Sequence, residues 1–148
     1  MNEENKTSEE KMNECIFCKV VTGEIPCYKI WEDENVLAFL SISPDVDGHT
    51  IVIPKKHSEN IFDTPEENFS EVCKGVKKVS DIIKKNFGAS GVNISNNSGK
   101  DVGQEVMHTH FHILPRIEDD GRRLRLTGEK KVSEDLEGIA KKIKGELQ

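Results

Sequence analysis

The chain has 148 residues, and its 27 acidic and 21 basic side chains leave a formal net charge of −6. This length favours one compact domain, which can bury about 70% of the surface that the unfolded chain exposes. The negative balance lacks the basic footprint that binds a phosphate backbone, so we do not expect long nucleic acid as the main partner. No apolar run approaches the roughly 20 residues that cross a bilayer, so we expect a soluble protein with no membrane partner.

The first residues, MNEENKTSEEKMN, are nearly all polar or charged. Such a segment cannot bury enough apolar surface to offset its chain entropy, so we predict a disordered tail over residues 1–13. It also has no apolar stretch of the kind that a secretory signal needs. We therefore expect a cytoplasmic location, with the nucleus as an additional compartment.

The next segments predict short elements. CIFCKVV at residues 15–21 suits a short helix. Two apolar runs at 28–31 and 36–42, with a turn-like EDEN between them, predict a β-hairpin. Turn residues at 43–48 indicate a loop, and HTIVIP at 49–54 reads as a third strand.

The clearest pattern is that of a long helix. Thr64 can cap its N-terminus, Pro65 suits the first helical position, and Glu67 is placed to complete a capping box. Apolar residues then recur at intervals of three and four until Gly88 ends the helix: Phe69, Val72, Cys73, Val76, Val79, Ile82, Ile83 and Phe87. One face of this helix should be buried.

The remaining pattern predicts two more strands, at residues 91–95 and 106–115, joined by a polar loop at 96–103. A weaker helix begins at Ser133, with these residues on one side: Leu136, Ile139, Ala140, Ile143 and Leu147. Hairpins surround one long helix without regular βαβ alternation. The fold class is therefore predicted as α+β, with a mainly antiparallel sheet.

Three histidines alternate along the last predicted strand: His108, His110 and His112. A period of two places their rings on one face of a strand, about 6.7 Å apart, with the intervening side chains facing the core. The three cannot all be cationic without mutual repulsion, so at least one should be neutral near pH 7 and able to act as a nucleophile. Accidental alternation is disfavoured, because three of the five histidines in the chain share this spacing.

A metal site is a second interpretation. Cys15 and Cys18 form a C-x-x-C, and two thiolates with two imidazoles make a closed tetrahedral zinc set. Spacing alone does not choose which histidines would bind. A redox role would need a thioredoxin-like βαβ context, which the pattern lacks, and two buried cysteines without a metal remain a third interpretation.

Several segments resemble the histidine triad (HIT) nucleotide-binding proteins. HTHFHIL at 108–114 fits the pattern His-x-His-x-His-x-x, and Gly103-Gln104 precedes it at the distance typical of the family. Further matching segments are IP at 25–26, LAF at 37–39, ISP at 42–44 and HTIVIPKKH at 49–57. The resemblance covers about residues 15–116. It implies the HIT-like fold: a mainly antiparallel five-stranded sheet with one long helix and short flanking helices.

The resemblance also implies a division of the chain and an activity. The HIT domain would cover residues 14–118, and residues 119–148 would form a C-terminal extension with a helix. The family implies hydrolysis or transfer at the α-phosphate of a purine nucleoside phosphoramidate or dinucleoside polyphosphate, through a covalent nucleotidyl-histidine. His110 matches the nucleophile, while His112 and His49 match positions that orient or protonate. The family further implies a homodimer and AMP-containing substrates.

The C-x-x-C resembles the zinc-containing branch of the family. That branch implies a structural Zn²⁺ on Cys15, Cys18, His57 and His108. The family also implies an apolar slot for the base and polar contacts to ribose and phosphate. Carried over, the nucleotide-binding residues are Phe17, Val20, Phe39, Ser41, Ile42, Asn97, Gln104, Glu105, His110 and His112. Without the resemblance, the apolar members are simply core residues, and Asn97 and Gln104 are turn residues.

Two positions depart from the family pattern. Related sequences have an aspartate where this chain has Ser41, and a small hydroxyl residue where it has Glu105. A carboxylate beside an anionic phosphate costs affinity, so we expect Glu105, like Ser41, to weaken AMP binding. Repair of adenylated nucleic-acid ends is disfavoured by the acidic chain. The alternative outside catalysis is a zinc-containing module that binds nucleotides or proteins.

Overall fold

The computed structural model describes residues 6–121 and 135–145. The elements in chain order are α1 (Ser8–Glu14), α2 (Ile16–Val21), β1 (Lys29–Glu32), β2 (Val36–Leu40), β3 (Thr50–Pro54), α3 (Glu66–Asn86), β4 (Gly91–Ser95), β5 (Phe111–Arg116) and α4 (Leu136–Ile143). A turn of 3-10 helix at Lys100–Val102 lies between β4 and β5. None of the helices in the described ranges has both the length and the apolar character that a membrane span requires.

The five strands form one antiparallel sheet in the order β1-β2-β3-β5-β4. This arrangement confirms the predicted α+β fold with a five-stranded antiparallel sheet. Strand β5 is an inner strand, and His112 on it pairs with Ile51 of β3 and Ser95 of β4. The alternating residues of β2 face opposite sides, so the sheet has a separate apolar layer on each face.

Helix α3 covers one face of the sheet. Four of its side chains belong to the core on this face: Val72, Val76, Val79 and Ile83. They pack with strand residues that include Val36, Val52 and Ile113. The helix ends as predicted, because Gly88 follows the last cap residue with φ of +73°. Cys73 and Phe87 are exposed, so their predicted places on the buried face are wrong.

The predicted capping box at the start of α3 is wrong. Pro65 occupies the cap position, and no side chain there accepts a backbone hydrogen bond. The Thr64 hydroxyl instead donates to the Asn60 carbonyl at 2.6 Å and lies 2.7 Å from the Thr109 hydroxyl. Thr64 therefore connects the loop before α3 to the histidine segment.

The opposite face of the sheet is covered by helix α2. Its core contains these residues: Cys15, Phe17, Cys18, Leu37, Phe39, Ile51 and Ile53. Both cysteines of the C-x-x-C are buried there, at the start of α2. The polar cluster described below lies against this smaller core.

The segment before α2 is helical, so the predicted disordered tail is wrong for the residues of α1. The Thr7 hydroxyl accepts from the Glu10 amide, and the Glu10 carboxylate accepts from the Thr7 amide, which is a complete capping box. Lys11 of α1 also pairs with Glu59 at 2.6 Å. Helix α1 buries none of its side chains, so a prediction based on apolar content missed it.

The strand that was predicted to carry three histidines is shorter than expected. It begins at Phe111, so His112 lies on β5 while His108 and His110 lie in the segment that leads into it. The Thr109 amide donates to the Ser58 carbonyl at 2.8 Å, and its hydroxyl lies 3.0 Å from that of Ser58. The expectation that Thr109 faces an apolar core is therefore wrong.

The C-terminal prediction is tested only in part. Helix α4 is present, with Asp135 at its cap, and its Ile139 and Ile143 are exposed. The predicted start at Ser133 and the predicted apolar position Leu147 lie outside the described residues.

The close approach of α3 to the sheet depends on Gly75. A Cβ at this position would lie 2.8 Å from Val36 Cγ1 and 3.3 Å from Trp31 Cζ3. We expect Gly75→Ala to lower the free energy of unfolding by about 1 kcal/mol, because overpacking costs about 1–3 kcal/mol and the gain in helix propensity is about 1 kcal/mol. Urea unfolding measures this change. Cys73→Ala, at an exposed position of the same helix, is the control, and a more stable Gly75→Ala protein would contradict the prediction.

Candidate active site and metal centre

His110 is buried beneath α2, and its ring is held in one tautomer. Its Nδ1 lies 2.7 Å from the His108 carbonyl oxygen. Because a carbonyl only accepts, Nδ1 carries the proton and the lone pair lies on Nε2. A neutral imidazole with its lone pair on Nε2 can attack an electrophile.

Asn96 holds the main chain of His110. Its Nδ2 donates to the His110 carbonyl at 2.8 Å, and its Oδ1 accepts from the Ser98 hydroxyl at 2.6 Å. Sequence reasoning selected the neighbouring Asn97 and missed Asn96. Two adjacent asparagines in a polar loop give no sequence signal that distinguishes them. Asn97 donates to the Gly103 carbonyl at 3.3 Å, which helps to close the loop.

His49 and His112 form a second pair. His49 Nε2 lies 2.8 Å from His112 Nδ1, and the Asp45 amide donates to His49 Nδ1 at 3.2 Å. The Asp45 amide requires an acceptor at His49 Nδ1, so the His49 proton is on Nε2 and points to His112. The proton of His112 is then on its Nε2, which makes this nitrogen a hydrogen-bond donor. The rings of His110 and His112 are 4.9 Å apart, so the donor ring is next to the nucleophilic ring.

Burial keeps these three rings neutral. It lowers the pKa of His110, and the hydrogen bond to the His108 carbonyl, followed by the negative charge of Glu105, partly opposes this effect. Burial, together with the neighbouring His110 and His49, lowers the pKa of His112 to about 4. Burial also lowers the pKa of His49, against the charge of Asp45. All three are uncharged near pH 7, so His112 offers a neutral N–H to a ligand.

Four potential metal ligands lie together next to His110. One ligand atom from each of Cys15, Cys18, His57 and His108 lies within 4.8 Å of every other. His108 Nδ1 is 3.4 Å from Cys15 Sγ and 3.5 Å from Cys18 Sγ, while His57 Nδ1 is 3.2 Å from Cys18 Sγ. This confirms that these four residues can hold a metal ion.

The chemistry of the four ligands fits a divalent ion. Burial, and then Cys15, raise the pKa of the Cys18 thiol to about 12, so a thiolate there needs a cation. The His108 Nε2–H donates to the Pro54 carbonyl at 2.8 Å, which leaves Nδ1 as the ligand atom and supplies the outer contact typical of a metal-bound histidine. His57 Nε2 is buried with no hydrogen-bond partner in the described structure.

Two residues that were predicted to line the base slot, Phe17 and Phe39, are buried in the core beneath α2. Phe17 contacts the rings of Phe39, His108 and His110 edge-on, with centroid separations of 5.5, 6.0 and 5.3 Å. Val20 packs against this cluster, while Ile42 is 89% exposed. Phe17, Val20 and Phe39 thus belong to one apolar cluster, and Ile42 lies in the exposed loop after β2.

The polar residues that were predicted to contact ribose or phosphate differ in the hydrogen bonds that they already make within the protein. The Ser41 hydroxyl accepts from the Ser43 amide at 3.2 Å and keeps its own proton for another partner. Gln104 is buried, and its side-chain amide bonds three main-chain groups. The side chain of Gln104 therefore orders the loop in which it lies. Glu105 is exposed, and its negative charge contributes to raising the pKa of His110.

The comparison with known proteins identifies the family. A family model described as HIT domain matches residues 22–119. The chain belongs to the HIT family. It is 50% identical, over 88% of its length and 99% of the relative, to an uncharacterized HIT-like protein of Methanocaldococcus jannaschii.

Two other relatives of this HIT protein have names that state an activity. It is 41% identical to an adenosine 5′-monophosphoramidase of Schizosaccharomyces pombe, over 72% of this chain and 77% of the relative. It is 40% identical to an adenylylsulfatase of Arabidopsis thaliana, over 73% of this chain and 55% of the relative. Both names denote hydrolysis of AMP-containing compounds.

Solved structures share the fold. A HIT family protein from Bacillus anthracis superposes with a TM-score of 0.79 at 40% identity, covering 92% of this chain and 99% of the other. A Zn-bound histidine triad protein from Mycobacterium smegmatis gives a TM-score of 0.73 at 36% identity, covering 80% of this chain and 86% of the other.

The electrostatics of the histidine cluster can be tested directly. We expect His112 to titrate near pH 4 and His110 below pH 6.5, because burial penalises both cations. In His110→Ala the pKa of His112 should rise, since a neighbouring ring that disfavours its charge is removed. Nitrogen-15 NMR titration measures these values, and Cys73→Ala should leave them unchanged. A His112 pKa at or above 6.5 would contradict the assignment.

Proposed function

We propose that this HIT protein hydrolyses or transfers the nucleotidyl group of a purine nucleoside phosphoramidate or a dinucleoside polyphosphate. The observation that carries the proposal is the tautomer of His110, which is neutral and has its lone pair on Nε2. The names of two relatives, a monophosphoramidase and an adenylylsulfatase, support a nucleotide hydrolase that acts on AMP compounds.

The proposed reaction has two displacements. His110 Nε2 attacks the α-phosphorus while the bond to the leaving group breaks, and the leaving group takes the bonding electron pair. A leaving amine also takes up one proton as it departs. Water then attacks the phosphorus of the nucleotidyl-histidine, the P–N bond breaks, the electron pair returns to Nε2, and the proton that water loses replaces the one that the amine took. The His108 carbonyl stabilises the positive charge that the ring gains, because it accepts the Nδ1 proton at 2.7 Å.

His112 and His49 supply hydrogen bonding to the phosphate in this proposal. Charge spreads over the equatorial oxygens of a phosphoryl transition state, so a fixed donor beside the nucleophile stabilises it. Because the pKa of His112 is about 4, the ring is neutral near pH 7. It can protonate a leaving group only after the negative charge of a bound substrate has raised this pKa. We therefore propose that His112 acts as a hydrogen-bond donor to the phosphate. It acts as an acid only when substrate is bound.

The nucleotide is proposed to lie across α2 and the end of β2. The base would contact Phe17, Val20, Phe39 and Ile42, and Ser41 would donate to the ribose. On the other side of His110, Asn97, Gln104 and Glu105 belong to the loop that borders the phosphate. Gln104 is assigned a positioning role, because its side-chain Nε2 donates to two main-chain carbonyls and its Oε1 accepts from the Gly99 amide.

The metal is proposed to be a structural Zn²⁺ on Cys15, Cys18, His57 and His108. The four nitrogen and sulfur ligands suit a closed tetrahedral site, and a Zn-bound family member supports the choice of ion. When bound, zinc would stabilise the two thiolates and exclude protonation of the ligand nitrogens. His108 would then hold the metal through its ring and the nucleophile through its carbonyl.

We also propose a cytoplasmic homodimer. Strand β4 is an edge of the sheet and carries the exposed Ile94, which is a surface that a second copy can cover. Size-exclusion chromatography with light scattering measures the subunit number.

The zinc assignment predicts a loss of metal and stability together. We expect about one zinc per chain in the purified protein, and none in the double variant Cys15→Ser/Cys18→Ser. The variant should also unfold at a lower temperature, because metal-binding free energy is coupled to folding. Elemental analysis and calorimetry measure both effects. Cys73→Ser is the matched control, and full zinc content in the double variant would refute the site.

The nucleophile assignment predicts a covalent intermediate on His110. With an adenosine 5′-phosphoramidate, quenched reactions should contain protein with an added adenylyl mass that maps to His110. His110→Ala should lower turnover by about 10³-fold or more and keep its zinc, because the nucleophile is not a metal ligand. Intact-protein mass spectrometry and zinc analysis test this. An adduct on another residue would refute the mechanism, and nucleotide binding without adduct or turnover in the parent protein would favour a non-catalytic zinc module.

A further inference from the structure

Three hydroxyl groups meet beside the segment that carries His108 and His110. Thr109 Oγ1 lies 2.7 Å from Thr64 Oγ1 and 3.0 Å from Ser58 Oγ, and the hydroxyl oxygens of Ser58 and Thr64 are 2.8 Å apart. Ser58 and Thr109 are buried. A buried hydroxyl loses its hydrogen bonds to water, so these groups depend on one another for partners. We call Ser58, Thr64 and Thr109 the hydroxyl cluster.

The hydrogen bonds of the cluster have a defined direction. The Thr64 hydroxyl donates to the Asn60 carbonyl at 2.6 Å, because a carbonyl can only accept. The Thr64 oxygen must therefore accept from Thr109, which is 2.7 Å away. The Ser58 hydroxyl can donate to the oxygen of Thr64 or to that of Thr109. Each of the three protons thus has an acceptor, and the side chain of Thr109 is fixed to the loop at 58–64.

The main chain of Thr109 connects the cluster to the nucleophilic ring. The Thr109 amide donates to the Ser58 carbonyl at 2.8 Å. The His108 carbonyl accepts from His110 Nδ1 at 2.7 Å. This amide and this carbonyl belong to the same planar peptide group, so rotation of that group would disturb both bonds. A hydrogen bond at one end of a peptide group also polarises the other end. The contacts that hold Thr109 against Ser58 therefore also hold the acceptor that orients His110.

The same loop is also bonded to the segment that holds the His110 carbonyl. The Ile61 amide donates to the Ser98 hydroxyl oxygen at 3.2 Å. The Ser98 hydroxyl donates to Asn96 Oδ1 at 2.6 Å, and Asn96 Nδ2 donates to the His110 carbonyl at 2.8 Å. His110 is thus held at its ring and at its carbonyl, and both sets of contacts begin in the loop at 58–64. Displacement of this loop would move the nucleophile relative to a bound phosphate.

We infer that Ser58, Thr64 and Thr109 are positioning residues for the nucleophile: their hydroxyl cluster holds the peptide group whose carbonyl fixes the His110 Nδ1 proton. This inference rests on the proposed function, in which His110 Nε2 attacks the α-phosphorus. A small loss of alignment between the attacking atom and the phosphorus slows the chemical step more than it weakens nucleotide binding. The cluster should therefore affect kcat more than KM.

The first test removes one hydroxyl from the full chain. Thr109→Val keeps the size of the side chain, and Ser58 can still donate to Thr64, so this variant should stay folded and retain the parental metal content. With adenosine 5′-phosphoramidate, we expect kcat to fall by about 10-fold and KM to change by less than about 2-fold. Thr109→Ser restores the hydroxyl but lacks the methyl group, and it should recover most of the parental kcat.

Two further variants complete the set. Ser58→Ala leaves the bond from Thr109 to Thr64 and should also lower kcat, and it decides the question should Thr109→Val fail to fold. Ser80→Ala is the matched control. Its hydroxyl donates to the Val76 carbonyl at 2.7 Å within α3, so the variant loses one hydroxyl hydrogen bond outside the cluster. We expect it to keep the parental kcat.

NMR spectroscopy gives a readout that does not depend on turnover. In the parent protein near neutral pH, His110 should have its proton on Nδ1, and the bond to the His108 carbonyl should shift this proton downfield. In Thr109→Val and in Ser58→Ala, we expect an upfield shift of this proton or a population of the other tautomer. Ser80→Ala should give the parental signals.

The outcomes separate this inference from the proposed function. If Thr109→Val and Ser58→Ala keep the parental kcat and the parental His110 signals, the positioning role is overturned while the proposed function stands. If Thr109→Ser is as slow as Thr109→Val, the loss is due to packing, and the positioning role is again overturned. If the parent neither hydrolyses the phosphoramidate nor forms an adenylyl adduct, the proposed function is overturned, and the cluster then has no nucleophile to position.

Discussion

His108 makes the contacts on which the rest of the site depends. Its ring Nε2–H donates to the Pro54 carbonyl at the end of β3, and its Nδ1 faces both cysteine sulfurs. Its own carbonyl holds the Nδ1 proton of His110. One fully buried residue therefore connects a strand end, a metal cluster and a nucleophile, and displacement of its backbone would disturb all three.

Cys15 and Phe17 form a second link between the metal cluster and the nucleophilic ring. Cys15 ends helix α1 and caps helix α2, where its sulfur accepts from the Cys18 amide at 3.4 Å. Phe17, two residues later, packs edge-on against both His108 and His110. A metal on the cluster would thus restrain the helix that covers the nucleophilic ring. Cys18 of the ligand set and Phe17 and Val20 of the proposed slot lie on the same short helix.

Much of this architecture follows from local patterns in the sequence. The strand at 91–95 and the stop of the long helix at Gly88 were predicted from apolar runs and a single glycine, and both are confirmed. Helix α1 was missed because its stability signal is a capping box between Thr7 and Glu10, and no apolar face accompanies it. The early start predicted for β5 was wrong because Thr109 bonds Ser58 in a neighbouring loop, a contact that alternation does not reveal.

Local sequence patterns also left contacts in the candidate site unpredicted. The sequence shows both the C-x-x-C and the alternating histidines. Spacing did not identify His57 as a ligand, because it is 39 residues from Cys18 in the chain. The two residues meet because His57 follows the end of β3. That choice came from the family resemblance. Asn96 and the internal role of Gln104 depend on main-chain carbonyls brought together by folding. Main-chain acceptors are present at every residue, so no side-chain pattern marks the ones that matter.

The two roles of residue 108 differ in what they require of the amino acid. The carbonyl that holds the His110 tautomer is present in every residue type, whereas the ligand nitrogen needs histidine or another metal-binding side chain. Substitution at this position can therefore remove the metal ligand while retaining the acceptor that orients the nucleophile. A descendant of this protein could lose the metal in steps, provided that apolar packing beneath Phe17 replaced the restraint that the cluster supplies.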